Sequence, residues 1–180
     1  MKYSIPVLIL FTCLFYPAAS QEVKPRFSPI LQGGALIGGS FNSWGLQVVN
    51  GVAYKTWFAG IGIGTDQYYY RSIPVFLDLR KNILDRKNTP FVYFDIGTNP
   101  PLDRSDSTPW EKNNYSGGLY LDMGIGYSWN LEGNAQLLLS LGYSRKQIIE
   151  NRTYVWAMDD VRDRYHYTFR RVFFKLGFSF

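Results

Sequence analysis

Six charged side chains sit inside otherwise apolar, strand-like runs: Asp78, Arg80, Asp95, Asp122, Arg171 and Lys175. Acids and bases in equal number on one face can pair, and a charge held away from water is costly unless it is paired. The chemistry they predict is a buried ion network; if their face lined an open channel, they would select passing ions instead. A second constellation is smaller. His166 is the single histidine, and a catalytic base needs a nucleophile within hydrogen-bond reach and a group to orient it. Ser144, at the end of a predicted strand, is the serine best placed to approach His166, but no local motif supports the pair. The chain is therefore read as a non-enzyme with no catalytic residue. Asp159, Asp160 and Asp163 offer oxygen atoms, but their spacing matches no calcium loop and arginines neutralise them. Neither a metal site nor a cofactor is expected.

The elements that carry these charges read as strands with one apolar face. Counting back from the C-terminus in steps of two gives Phe180, Phe178, Leu176, Phe174 and Val172, all large and apolar. Between them lie Ser179, Gly177, Lys175, Phe173 and Arg171, which suits a strand with lipid on one side and a polar lumen on the other. The same alternation predicts strands over Leu31 to Phe41, Gly45 to Tyr54, Trp57 to Asp66, Ser72 to Asn82, Phe91 to Thr98, Gly118 to Asn130, Ala135 to Ser144 and Tyr167 to Phe180. Asn50-Gly51 is an alternative hairpin turn, but it would leave the second strand too short to span, so Lys55-Thr56 is preferred. The fold predicted is an all-β, eight-stranded antiparallel up-and-down transmembrane β-barrel. An even strand number puts both termini in the periplasm. The two longest connections, Asn99 to Gly117 and Arg145 to His166, then both fall outside the cell.

Residues 1–20 combine Lys2, an apolar run from Ile5 to Tyr16 and a small-residue end at Ala18-Ala19-Ser20, the pattern of a secretory signal peptide. Residues 21–30 read as a periplasmic N-terminal extension and 31–180 as the barrel. Cys13, the one cysteine, lies in the signal, so a processed chain has no disulfide or thiolate chemistry. The formal charge of +5 comes from scattered bases on an exported chain, which argues against nucleic acid and for lipopolysaccharide phosphates as anionic neighbours. Aromatic residues make up 18% of the chain, with 14 Tyr and 5 Trp, enough for girdles at both membrane interfaces.

The segments FAGIGIGTD (Phe58 to Asp66), IPVFLDLR (Ile73 to Arg80), PFVYFDIG (Pro90 to Gly97), GGLYLDMGIGY (Gly117 to Tyr127), LSLGY (Leu139 to Tyr143) and LGFSF (Leu176 to Phe180) are spread along the barrel from its third predicted strand to its last. On these the chain resembles the small eight-stranded outer-membrane barrels of Gram-negative bacteria, in the class of the transmembrane part of OmpA and of OmpX. It looks most like a barrel family common in Bacteroidetes. The resemblance implies an outer-membrane location and carries no shared catalytic motif. Val172, Phe174, Leu176, Phe178 and Phe180 are similar to the terminal signal read by the barrel-assembly machinery. Asp106-Ser107-Thr108 is similar to an O-glycosylation pattern of Bacteroidetes, which marks Ser107. Some barrels of this scaffold are lipid A deacylases or palmitoyltransferases with a surface serine and histidine, the reading in which Ser144 and His166 would act.

In the external segments, Arg152, Tyr154, Trp156, Arg162 and Arg164 are binding candidates, since aromatic and arginine side chains are the usual anchors. The expected function is a structural or surface-binding outer-membrane protein, monomeric, with a closed ion-paired lumen and an external ligand of unknown identity. A small pore is the first alternative and a lipid A-modifying enzyme the second.

Overall fold

A strand that faces lipid must satisfy its backbone N–H and C=O groups within the sheet, because no water is present to do so. Here the ladder closes on itself. The computed structural model describes residues 24–39, 42–67, 71–102, 105–108, 111–131, 135–155 and 160–180. The expected signal peptide, with Cys13, lies outside the described residues.

The strands are β1 (Arg26–Phe27), β2 (Ile30–Ile37), β3 (Ser43–Tyr54), β4 (Trp57–Gln67), β5 (Arg71–Ser72), β6 (Val75–Asn82), β7 (Thr89–Thr98), β8 (Ser105–Thr108), β9 (Glu111–Asn130), β10 (Gln136–Val155) and β11 (Asp160–Ser179). Among the described residues, β2, β3, β4, β6, β7, β9, β10 and β11 form a closed antiparallel circuit of eight, in which β11 returns to pair with β2. The other three are short additions. β1 pairs with the end of β3, so part of the expected periplasmic extension is tied to the barrel rim. β5 and β8 lengthen the ladder at the opposite end.

The hairpin between β3 and β4 turns at Lys55-Thr56, with Tyr54 opposite Trp57 and Lys55 at a φ of 56°. Asn50-Gly51 stays inside the strand, where Gly51 leaves room for the Phe58 ring. The fourth predicted strand is broken at Ile73-Pro74, because proline has no N–H to give the ladder.

Two expected loops are corrected. Asn99 to Gly117 is not an irregular loop throughout, since β8 pairs with the start of β9. Arg145 to His166 is largely strand: β10 runs to Val155 and β11 starts at Asp160, each strand having 20 residues. Above the membrane both faces of a sheet meet water, so the apolar alternation that marks a strand disappears while the ladder continues.

Burial follows the period of two. Outward side chains such as Ile61 (64% exposed), Leu77 (59%) and Ile125 (64%) make a continuous apolar belt, far more apolar surface than a water-soluble monomer leaves uncovered. Trp57, Trp129 and Phe180 border the belt at the end that holds the chain terminus, and Trp44 and Tyr143 border it at the other. Inside, rings pack where glycines leave space. At Gly62, the three atoms nearest an added Cβ all belong to the Phe76 ring.

Gly62→Ala forces that ring out of its place, a change expected to cost about 1–3 kcal/mol as overpacking does. Phe76→Leu in the same chain should recover part of the loss. Urea midpoints of the folded band on unheated gels would measure both, and additive losses would contradict the packing described.

Candidate functional site

The structure places Asp78, Asp95 and Asp122 on three neighbouring strands, β6, β7 and β9, directly opposite one another in register. All three point inward and are at most 2% exposed. Like charges in opposed positions repel, and two cations answer them. Arg80 donates from Nε to both Asp78 oxygens at 3.0 Å and from Nη2 to Oδ2 at 2.6 Å. Lys175 reaches in from β11, with Nζ 2.9 Å from Asp122 Oδ2 and 3.6 Å from Asp95 Oδ2. Its ammonium also lies 4.0 Å from the centre of the Tyr93 ring, a cation–π distance, and the Tyr93 hydroxyl donates to Asp122 Oδ1 at 3.0 Å.

Uncharged side chains join these pairs into one chain. Arg80 Nη2 donates to Gln32 Oε1 at 3.0 Å, Gln32 Nε2 to Gln47 Oε1 at 2.7 Å, and Gln47 Nε2 to the Tyr120 hydroxyl at 2.8 Å. The Tyr120 hydroxyl donates to Asp122 Oδ2 at 3.4 Å. The chain therefore runs from Asp78 across the lumen to Lys175 and Asp95, touching six strands.

Arg171, expected in this network, is buried at a separate level, where its Nη1 donates to the Ser43 hydroxyl. A second pair lies near that level: Lys146 Nζ is 2.6 Å from Asp66 Oδ1, which also accepts from Ser72 at 3.0 Å. The sequence reading put Lys146 in an external loop. Continuing the inward parity of Ser140 and Ser144 through Lys146, Ile148 and Glu150 would have found it, and all five are buried. Gln32 and Gln47 had no such signal, because nothing in a single strand says that two glutamines will meet across a hairpin.

At the barrel end that holds Phe180, a cavity of about 320 Å³ lined by Arg26, Lys55, Phe58, Arg80, Phe91, Leu138 and others reaches in to Arg80. Beyond the opposite end, β9, β10 and β11 continue as a sheet, with β8 added along the β9 edge. Its inner face carries Arg152, with Nε 3.0 Å from Glu111 Oε1 and Nη2 2.9 Å from Glu150 Oε1. Hydrogen bonds to Tyr154 and then Glu150 hold the Arg152 guanidinium proton above its ordinary range. The charge of Asp163 likewise raises the Tyr165 phenol. A groove of about 680 Å³ is lined by Lys112, Asn114, Asn151, Arg152, Thr153, Arg162, Asp163 and Arg164. The expected binding residues thus divide: Arg162 and Arg164 share the outward parity of β11, whereas Arg152 and Tyr154 follow the inward parity of β10. Trp156 lies outside the described residues. Ser107 pairs with Lys112 in the β8 ladder rather than standing in a free loop.

Two solved structures align with most of the chain. Outer membrane protein AlkL, solved by solid-state NMR in DMPC bilayers, aligns with a TM-score of 0.49 at 13% identity, over 92% of this chain and 95% of that one. A major outer membrane protein from Thermus thermophilus aligns with a TM-score of 0.51 at 14% identity, over 87% of this chain and 98% of that one. The fold is that of an outer-membrane β-barrel. No protein-family model and no curated protein matches the chain.

The barrel does not bring Ser144 and His166 together. Ser144 is opposite Arg171 and buried, whereas His166 is opposite Ile149 and exposed. Five residues separate the two levels, roughly 16 Å along a strand, and an odd separation puts the side chains on opposite faces. The five apolar residues of the terminal segment, Val172 to Phe180 in steps of two, all face outward, 41–58% exposed.

Lys175→Met leaves two buried carboxylates without their cation and should destabilise the barrel by about 3–5 kcal/mol. Adding Asp95→Asn and Asp122→Asn should restore most of that loss. The readout is the urea midpoint in detergent, and an unchanged midpoint for Lys175→Met would contradict the pairing.

Proposed function

We propose that the protein is a closed scaffold of the Gram-negative outer membrane whose working surface is the sheet that β9, β10 and β11 raise above the bilayer. The observation that carries this reading is the hydrogen-bonded chain from Asp78 to Lys175, which crosses a lumen that eight strands leave only wide enough for side chains. A path for solute would have to break charged contacts that are buried on every side. In this reading the protein works as a monomer, without cofactor or catalysis, in the class of OmpA-like and OmpX-like small barrels. Outer-membrane lipids and lipopolysaccharide surround its belt, and the barrel-assembly machinery reads the outward residues that end in Phe180. The groove with Lys112, Arg162 and Arg164 suits an anionic external ligand, because arginine forks match carboxylate and phosphate oxygens.

Planar-bilayer recording of the refolded protein tests the closed lumen. Protein with verified insertion should give no steady unitary current, and Asp78→Ala with Lys175→Ala should raise the frequency of openings. Steady currents from the unaltered protein would replace this reading with that of a small pore.

A further inference from the structure

On the external sheet the described acids keep to one face. Among the described side chains, those of outward parity include Lys112, Arg145, Arg162, Arg164 and Arg170 and no acid, while Glu111, Glu150 and Asp163 have inward parity. The lowest two cations are arranged least favourably for a free protein. Arg145 and Arg170 are directly opposite each other in the β10–β11 ladder, where like charges destabilise a sheet. No ion pair among the described residues includes either, and Arg145 Nε is buried without a hydrogen-bond partner.

Their level explains what could answer them. One pleat step below, the opposed outward residues are Tyr143 and Val172, which are 42% and 44% exposed and belong to the apolar belt. Two residues of strand rise roughly 7 Å, so the arginines emerge where acyl chains end and headgroups begin. The neighbouring strand β2 has its last ladder pair at Ile37 opposite Val172, so no ladder partner stands beside Arg170. Two guanidinium forks at the headgroup level, with no protein anion between them, match the doubly charged oxygens of a phosphate.

We infer that Arg145 and Arg170 form a clamp for a phosphate of the phosphorylated glycolipid in the outer leaflet. This site lies below the groove of Arg162 and Arg164 and goes beyond the surface-binding reading, requiring only that the barrel spans the membrane. It also fixes a sign. Without the lipid, removing one arginine relieves repulsion; with it, the same change removes a ligand.

The test is thermal unfolding, followed by gel mobility, of the refolded chain in zwitterionic detergent alone and with lipopolysaccharide, dephosphorylated lipopolysaccharide or inorganic phosphate. Lipopolysaccharide should raise the midpoint of the unaltered protein by several degrees and the other two should not. Arg145→Gln and Arg170→Gln should each unfold at or above the unaltered midpoint in detergent alone and lose most of the lipid-induced rise. Arg162→Gln with Arg164→Gln should keep that rise, which separates this clamp from the groove. An equal rise with dephosphorylated lipid, a full rise in the Arg145 and Arg170 variants, or the same rise with free phosphate would each overturn the lipid clamp. If either glutamine variant fails to refold, Arg145→Lys and Arg170→Lys keep the charge and lose the fork, and an undiminished rise in both would overturn it as well.

Discussion

Three carboxylates on adjacent strands, each opposite the next, define the constraint that the rest of the barrel satisfies. Asp78, Asp95 and Asp122 could not share one row of a closed sheet without Arg80 beside the first and Lys175 reaching between the other two. Lys175 stands on β11, two strands along the circuit from Asp122, and Arg80 is tied through Gln32 to β2. Gln47 on β3 and Tyr120 on β9 stand four strands apart in either direction round the circuit, so the hydrogen bond that joins the two halves of the network spans the lumen. A one-residue slip anywhere in the circuit turns every side chain of that strand to the other face, which would send a charge into lipid and strand its partner inside. The ion network thus penalises wrong registers more than it rewards the right one, in keeping with the modest net value of buried ion pairs.

Space for that network comes from the pairing of glycine with ring. The Phe76 ring fills the place where Gly62 has no side chain, and the Tyr93 hydroxyl occupies the space beside Gly142 while it donates to Asp122. The interior of an eight-stranded barrel is only wide enough for side chains to fill. Glycine weakens a strand in isolation, so its cost is offset only by what the facing ring gains in contact and, for Tyr93, by the hydrogen bond it delivers.

The membrane-spanning part was legible because lipid on one side and packed lumen on the other write a period of two into the chain. Val75, Leu77 and Leu79 alternate with Phe76, Asp78 and Arg80, and the structure divides them accordingly. The six inward charges could be read from parity alone, whereas the bridging role of Gln32 and Gln47 depends on which strands become neighbours. What failed was the rule that polarity marks a loop. Arg145 to Val155 and Asp160 to His166 contain charges on both faces, because the membrane no longer asks one face to be apolar, yet their backbones pair residue by residue. The signal that survives above the membrane is that the described acids keep to the inner face.

Continuity of the strands gives the external sheet its orientation. The ladder between β9 and β10 has an irregularity between Lys146 and Ile148, where Gly118 and Leu119 on β9 are opposed by Gln147 alone. A bulge of this kind bends and twists its strand. It falls where buried Lys146 gives way to the external rows, so the sheet is re-aimed at the point where it leaves the barrel. Gly117 and Gly118 are the residues that allow it: a Cβ on the first would press on the Asn99–Pro100 backbone, and one on the second on Gln147. Because the same strands that carry Asp122 and Lys175 inside carry Lys112, Arg162 and Arg164 outside, the lumen that seals the barrel also sets the direction in which its surface faces.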